Sequence, residues 1–417
     1  MKNTERQSRR LLLFTLMLLA YFSGSCTTLK MASLFTSGNI ETNIFAIEVP
    51  LRFRQELLHL DVRLNGKEPL RRFVFDTGAA FCVVSPELAS ELGLPREASD
   101  TASDSTGRKN KVDFVVLDSV EIGGLLFRNI AAAVVSLKNS QGLRCYDFQG
   151  VIGANLIRLA ESWQIDYRKE KLRVSDQAKS AAGTGGGFLL PMRRNIQRIP
   201  EVEIRFFENR ALWLEWDSGS TGGLDLNSAD WKKLTEGKPQ IPSVRKIGIY
   251  SAGAFGVNTA ESRVAKIEEL RLGDFRAGDQ LVESNPETKS RVGNTFLRNY
   301  RITVNWSKNE MWLEPYIPEP GPAELITYGF GYDYDQEHKG IRVSLLYEKS
   351  AAFEAGLKIG DRIISINGTS LDSVVENEYC RFKADPTALF GDGEEIRIVV
   401  RRETELKECK LKKTRLL

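Results

Sequence analysis

Two Asp-Xaa-Gly triplets are the residues of this chain best suited to carry out chemistry. Asp76-Thr77-Gly78 and Asp217-Ser218-Gly219 lie 141 residues apart, and each ends an apolar run typical of a β-strand. A second signature follows each triplet at nearly the same distance, Val151-Ile152-Gly153 in the first half and Arg291-Val292-Gly293 in the second. This matched spacing indicates one structural unit present twice, with each copy supplying one carboxylate.

Two carboxyl groups that meet at one site predict acid–base activation of water. Their mutual repulsion prevents both from ionising, so one group acts as an acid and the other as a base, and the pair titrates as a unit. A water held between Asp76 and Asp217 could then attack an amide carbonyl. The glycines allow backbone amides to approach the carboxylates, and the hydroxyls of Thr77 and Ser218 can bond across to the opposite half. A single such triplet is an ordinary turn, so the prediction depends on the repetition.

Residues 44–316 resemble the aspartic protease superfamily, and more closely its retropepsin-like bacterial branch. Asp76-Thr77-Gly78-Ala79 is similar to the retroviral form of the motif, and Asp217-Ser218-Gly219-Ser220 to the pepsin form. The resemblance implies a mainly β fold in which two similar lobes, double-ψ-type β barrels, form a central cleft. It also implies catalytic Asp76 and Asp217 supported by Thr77, Gly78, Ser218 and Gly219, peptide-bond hydrolysis, and neither cofactor nor metal.

The family covers its cleft with hairpin flaps, which by position should lie near 103–111 and 251–259. The chain departs from the family pattern in the flap and in the second lobe. The first flap lacks the tyrosine of pepsin-like enzymes, Arg291 replaces an apolar residue, and Glu215 precedes the second triplet. These departures leave an alternative open, an inactive pseudoprotease that binds peptides without cutting them.

The last part of the chain resembles a PDZ domain, an α+β fold. The segment 351–368 predicts a short helix ended by Gly356, a strand, and a hairpin turn at Asn367-Gly368. Upstream, Gly329, Phe330 and Gly331 are similar to the loop that binds peptide carboxylates in such domains. The resemblance implies that polypeptides or peptide C-termini bind there as an added strand, whereas a pure docking role for the domain remains the alternative.

The first 25 residues predict an export signal, with a basic start and an apolar stretch of 12 residues. Small residues precede Cys26, which resembles the lipidated cysteine of bacterial lipoproteins. We therefore expect an envelope protein anchored through Cys26, on the periplasmic face or in the outer membrane. A plain signal peptide with an incidental cysteine is the alternative.

Composition and spacing complete the predicted organisation. A net charge of +3 gives no reason to expect nucleic acid, and the two histidines lie in no catalytic pattern. We expect a monomer, with Cys380 and Cys409 as the favoured disulfide pair and buried free thiols as the alternative. The predicted segments are a signal (1–25), a tether (26–43), lobe 1 (44–180), a Gly-rich linker (181–187), lobe 2 (188–316), a Pro-rich linker (317–324) and the PDZ domain (325–417).

Overall fold

The computed structural model describes residues 29–138, 140–177, 187–207, 210–237, 241–286, 289–317 and 323–417. The predicted signal, Cys26 and most of both predicted linkers lie outside these residues. The first lobe contains β1 (Asn39–Ile40), β2 (Ala46–Pro50), β3 (Arg52–Arg54), β4 (Leu57–Leu64), β5 (Lys67–Phe75), β6 (Cys82–Val84), α1 (Pro86–Leu92), β7 (Ala98–Ser103), β8 (Lys109–Ile122), β9 (Leu125–Val134), β10 (Gly150–Ile152), α2 (Ala154–Ile157), β11 (Ser162–Asp166) and β12 (Lys171–Ser175).

The second lobe repeats this order. It contains β13 (Phe188–Arg194), β14 (Pro200–Phe206), β15 (Arg210–Trp216), β16 (Leu224–Asn227), α3 (Ser228–Thr235), β17 (Ser243–Gly253), β18 (Gly256–Leu272), β19 (Phe275–Asn285), β20 (Arg291–Val292), α4 (Asn294–Leu297), β21 (Tyr300–Asn305) and β22 (Glu310–Pro315). The third domain contains β23 (Ile326–Thr327), β24 (Phe330–Asp335), β25 (Gly340–Tyr347), α5 (Ala351–Glu354), β26 (Arg362–Ile366), β27 (Thr369–Ser370), α6 (Glu376–Ala384), α7 (Thr387–Phe390), β28 (Glu395–Arg402), β29 (Glu405–Lys412) and β30 (Thr414–Arg415).

Each lobe is a closed barrel of six strands, and the two barrels have the same connectivity. In the first, the pairs run β4–β5–β10–β6–β9–β8 and back to β4. In the second, they run β14–β15–β20–β16–β19–β18 and back to β14. Parallel pairs fall at equivalent places in both circuits. The duplication inferred from the triplets is therefore a duplication of whole barrels.

Local sequence explains how the first barrel begins. The alternating strand β4 places Leu58, Leu60, Val62 and Leu64 in the core. Asn65 and Gly66 follow with φ values of 49° and 67°, the left-handed conformation that a two-residue hairpin turn requires. The return strand β5 then carries the chain to the first acidic triplet.

One antiparallel sheet connects the two lobes. Its strands lie in the order β2–β12–β11–β21–β22–β13, three from each lobe, with β11 paired to β21 from Ser162↔Asn305 to Ile165↔Ile302. A single hydrophobic core continues through both barrels and includes the buried Trp163 and Trp216. The lobes are thus joined by backbone pairing as well as by apolar packing.

The third domain has a separate core and is joined to the second lobe by strand pairing. Strand β25 pairs antiparallel with β17, from Lys246↔Tyr347 to Gly248↔Leu345. At this junction the Glu348 amide donates to the Arg245 carbonyl at 2.9 Å. The hairpin β17–β18 therefore belongs to the second lobe and also extends the sheet of the third domain.

Two sequence-based predictions are wrong. Residues 29–36, predicted as part of a tether, are helical, because Met31 and Leu34 pack on an apolar cluster of the first lobe. The disulfide joins Cys145 and Cys380, whereas Cys409 and Cys82 are buried free thiols. Folding brings the first lobe against α6, which carries Cys380, and no local sequence pattern predicts that contact.

Among the described residues, no helix is long and apolar enough to cross a bilayer.

Candidate active site

The two triplets occupy equivalent positions, at the ends of β5 and β15. The Asp76 amide donates to the Ile152 carbonyl at 3.0 Å, and the Asp217 amide donates to the Val292 carbonyl at 3.0 Å. These bonds continue the parallel pairs β5–β10 and β15–β20. Each barrel thus presents one aspartate beside its second glycine signature, as the spacing in the sequence suggested.

The hydroxyls of Thr77 and Ser218 hold the two triplets together. The Thr77 amide donates to Ser218 Oγ and the Ser218 amide donates to Thr77 Oγ1, both at 3.0 Å. Thr77 Oγ1 also donates to the Trp216 carbonyl at 2.6 Å, and Ser218 Oγ donates to the Phe75 carbonyl at 2.8 Å. Both side chains are fully buried. This reciprocal set of four bonds sets the position of one aspartate relative to the other.

The two carboxyl groups lie against each other across the lobe interface. A Cβ atom added at Gly78 would sit 2.5 Å from Asp217 Oδ1, and one added at Gly219 would lie within 3.0 Å of both Asp76 oxygens. Both distances are shorter than real Cβ contacts, so only glycine fits at either position. The glycines of the triplets therefore make room for the opposite carboxyl.

The environment favours a protonated Asp76 at neutral pH. Burial, followed by the nearby Asp217, raises the pKa of Asp76 to about 8, although the amides of Gly78 and Ala79 oppose the shift by donating to Oδ1 at 2.8 and 3.0 Å. A carboxylic acid that keeps its proton can donate it to a reacting carbonyl oxygen.

Asp217 differs from Asp76 in its bonding partners. Its Oδ1 accepts from the Gly219 amide at 3.0 Å, and its Oδ2 accepts from Arg291 Nη1 at 3.2 Å. Arg291, noted in the sequence as a departure, is buried and belongs to β20. The dyad is therefore asymmetric, with one carboxyl facing backbone amides and the other facing a guanidinium.

Further ionisable residues lie near Asp217, and of these only Glu215 was noted in the sequence. Burial and the charge of Glu283 raise the pKa of Asp225 to about 7. Glu283 pairs with Lys246, and Glu215 pairs with Lys289 at 2.6 Å. Asp225 and Glu283 lie on the parallel strands β16 and β19. No local sequence pattern predicts that these two strands pair.

Two hairpins reach each other over the dyad, where the sequence placed the flaps. The first, β7–β8, turns at 104–108, and the second, β17–β18, turns at 254–255. Asp104 Oδ2 accepts from the Phe255 amide at 2.7 Å, and Asn258 Nδ2 donates to the Thr106 carbonyl at 2.7 Å. Arg108 donates to the Val257 carbonyl at 2.7 Å. The flap tips are thus bonded to each other in this structure.

The predicted carboxylate-binding loop lies at the start of β24. Gly329 has φ of 97°, and a side chain there would collide with Ser350. The Gly329 carbonyl accepts from the Tyr347 amide at 2.9 Å, while Phe330 and Gly331 open β24. The loop is therefore held between β25 and the start of α5.

A segment of the first lobe, residues 140–145, lies across β24 and α6 and is termed the strap. Gln141 donates to Asp333 on β24, Arg144 contacts Glu376 on α6 at 3.5 Å, and Cys145 is bonded to Cys380 on α6. At its other end, Ser140 Oγ donates to the Gly253 carbonyl at the second flap tip at 2.5 Å. The strap connects the second flap to the elements beside the predicted peptide-binding loop.

Comparisons with known proteins agree with these observations. A family model described as aspartyl protease matches residues 60–156, which include Asp76 and Val151-Ile152-Gly153. A PDZ domain model matches residues 322–385, which include Gly329, Phe330 and Gly331. Both matches confirm the resemblances drawn from the sequence, and the mainly β two-barrel architecture with an α+β third domain is confirmed as well.

No curated protein matches the chain. Among solved structures, the chain is similar to the crystal structure of basic 7S globulin from soybean. The sequences are 11% identical, the match covers 65% of this chain and 95% of that chain, and the TM-score is 0.42.

Proposed function

The chain carries an aspartyl protease domain and a PDZ domain, and we propose that it is an aspartic endopeptidase that uses Asp76 and Asp217 as its dyad. The observation that carries the proposal is the reciprocal bonding of Thr77 and Ser218, which brings the two carboxyls together. Because its pKa is raised to about 8, the carboxyl of Asp76 keeps its proton at neutral pH and supplies the acid that the reaction needs.

The reaction proceeds in two proton-balanced steps. One carboxylate takes a proton from water while the water oxygen bonds to the amide carbon, and the other carboxyl gives its proton to the carbonyl oxygen. The carbon–nitrogen bond of the resulting tetrahedral diol then breaks. The leaving nitrogen receives the proton taken from water, and a diol hydroxyl returns a proton to the second carboxyl. The dyad ends in its starting state.

Substitution Asp76→Asn tests the proposal. The variant keeps the shape of a neutral carboxyl but has no acidic proton to transfer to the substrate. Cleavage of a denatured protein should therefore fall about 10²- to 10⁴-fold. Its melting temperature should not fall, because asparagine replaces a buried group that holds its proton. Mass spectrometry of new peptide termini measures the cleavage. Unchanged cleavage by the purified variant would reject Asp76 as a catalytic group.

A pseudoprotease is the second candidate, and the ion pair between Arg291 and Asp217 favours it. A carboxylate bound to a guanidinium is a weaker base, and the joined flap tips restrict entry to the cleft. Digestion of a peptide library from pH 3 to 7 separates the two candidates. An endopeptidase generates new termini, whereas a binder shows saturable association and leaves every peptide intact.

The proposal extends to location and partners. A PDZ domain supports peptide binding, and we propose that it recruits or docks polypeptide substrates for the cleft. We further propose export and lipid anchoring through Cys26 in a bacterial envelope, on the sequence pattern alone. Metabolic labelling with a fatty-acid probe should mark the full chain, and Cys26→Ser should remove the label.

A further inference from the structure

Three equivalent positions are apolar in the first lobe and charged in the second. In the first lobe, Val151 on β10 pairs with Val74 on β5 and Val83 on β6. In the second, Arg291 on β20 pairs with Glu215 on β15 and Asp225 on β16. Because burial of charge is costly, three matched replacements beside a dyad aspartate indicate one ionic unit.

The guanidinium of Arg291 donates hydrogen bonds to one dyad carboxyl and to two backbone carbonyls. Its Nη1 donates to Asp217 Oδ2 at 3.2 Å, and its Nη2 donates to the Ser105 carbonyl in the first flap at 3.1 Å. Its Nε donates to the Lys289 carbonyl at 3.5 Å. Arg291 therefore bonds to the dyad and to the flap above it at the same time.

Arg291 is the cation that is hydrogen-bonded to Asp217, and its charge also opposes the rise in the pKa of Glu215 and of Asp225. The charged or titratable groups that face this unit, element by element, are Asp76 after β5, Glu215 and Asp217 on and after β15, Asp225 on β16, Lys246 on β17, Glu283 on β19 and Lys289 before β20. Lys289 pairs with Glu215 and Lys246 pairs with Glu283. The ion pair of Asp217 with Arg291 completes this set of three.

We propose that Arg291 is a positioning residue that makes the dyad asymmetric, so that Asp217 carries the negative charge and Asp76 carries the proton. The inference rests on the proposed function and deepens it by assigning the two roles. Asp217 accepts the proton of the attacking water, and Asp76 protonates the carbonyl oxygen. In a symmetric pair the single proton is shared, and neither role is assigned in advance.

The first test is the pH dependence of kcat/KM in Arg291→Gln and Arg291→Lys. An opposite charge at this distance shifts a carboxyl's titration by about one to three pH units. The acidic limb of the profile in Arg291→Gln should therefore move to higher pH by about that amount. Because lysine keeps the positive charge, the limb of Arg291→Lys should lie between those of the wild type and Arg291→Gln. A limb that stays in place in Arg291→Gln overturns the proposal.

Arg301→Gln is the matched control. Arg301 forms an ion pair with Glu314 in the sheet between the lobes, with Nε 2.7 Å from Oε2, and it contacts neither dyad residue. Its loss removes another arginine–carboxylate pair, with Arg301 29% exposed against 10% for Arg291, so a general effect of losing such a pair appears in this variant. Its acidic limb should coincide with that of the wild type.

A second readout does not require activity. Carboxyl ¹³C NMR of aspartate-labelled protein at neutral pH should show one charged and one protonated dyad carboxyl, assigned through Asp76→Asn and Asp217→Asn. In Arg291→Gln the two shifts should converge. If no variant or wild type cleaves peptides but the shifts converge, the endopeptidase proposal fails and the assignment by Arg291 stands. Equal shifts in wild-type protein reject the assignment itself.

Discussion

At the scale of residues, the site depends on two glycines that have no side chain as much as on the side chains around them. Gly78 and Gly219 leave the space that the opposite carboxyl fills. Thr77 and Ser218 hold that arrangement through four buried hydrogen bonds. A methyl group at either glycine must therefore separate the acids or tilt a triplet.

Gly219→Ala should abolish cleavage while the fold is retained. The added Cβ would lie within 3.0 Å of the Asp76 carboxyl, so the dyad geometry is lost and the rate should fall at least about 10²-fold, the loss expected when reacting groups are displaced by about 1 Å. Peptide cleavage measured alongside thermal unfolding tests this.

Gly223→Ala is the control, because a Cβ there meets no atom within 4 Å. It should keep wild-type activity. Equal activity in Gly219→Ala and Gly223→Ala would show that the glycine beside Asp76 is not required for space.

The residues of the triplets could be read from the sequence, whereas their electrostatic surroundings could not. Asp76 and Asp217 stood out because type, spacing and preceding strand repeat together. Arg291 was noted in the sequence because it replaces an apolar residue of the family pattern. Its bonding partner could not be predicted, because that depends on which strands lie beside β20. Asp225, Glu283 and Lys246 carry no motif, since they approach each other through pairing between strands distant in sequence.

At the scale of elements, the flap hairpins are joined at their tips by polar bonds. Asp104 accepts the Phe255 amide, and Asn258 donates to the Thr106 carbonyl. Such bonds must break before a peptide enters between flap and dyad. The flap contacts therefore contribute to the cost of substrate binding rather than to the chemical step.

Asp104→Ala should loosen the flaps. The variant loses the bond across the tips at 2.7 Å, and also bonds from Thr106 within its own turn. Amide exchange at 104–108 and 253–258 should accelerate by at least about threefold, the effect expected for the loss of one hydrogen bond, and KM should change more than kcat. Hydrogen exchange with mass spectrometry provides the measurement.

Asp100→Ala serves for comparison, because Asp100 lies on the same hairpin and its carboxylate accepts from the adjacent Thr101 amide. Exchange at the tips should match that of the wild type. If Asp104→Ala also leaves exchange at 253–258 unaltered, the bond between the tips does not hold the flaps closed.

The strands that lead to each triplet could be predicted from the sequence, whereas the structure of the first described segment could not. Alternating β4, the Asn65-Gly66 turn and the strands before each triplet all follow local rules. Residues 29–36 were expected to be part of a tether because the stretch 27–40 is rich in Ser, Thr and Gly. Their helical structure depends on Met31 and Leu34 finding an apolar cluster in the first lobe, which is a tertiary effect.

At the scale of the whole molecule, the PDZ domain is joined to the two lobes at two places among the described residues. Strand β25 pairs with β17 of the second flap, and the disulfide ties the strap of the first lobe to α6. The strap also contacts Asp333 and Glu376, which flank the face beside the Gly329 loop. Access of a peptide to that face is therefore connected to the position of the strap.

Cys145→Ser should release the strap. Loss of a disulfide costs about 2–5 kcal/mol of stability, so unfolding should occur at lower denaturant concentration. An immobilised library of C-terminal peptides should bind the variant more strongly than it binds the oxidised wild type, since α6 and β24 become accessible.

A dithiol reductant provides the control within the same experiment. It should convert wild-type behaviour to that of Cys145→Ser and have no effect on the variant. Peptide binding that is identical in oxidised wild type, reduced wild type and Cys145→Ser would mean that the strap does not restrict the domain.

The sheet shared by the lobes limits how a substrate reaches the dyad. Because β11 is hydrogen-bonded to β21 along four residue pairs, a continuous sheet holds the two barrels together. Access to the dyad then depends on displacement of the two hairpins, whose tips are bonded to each other. If the proposed endopeptidase activity holds, compact proteins should resist cutting until they lose their native structure.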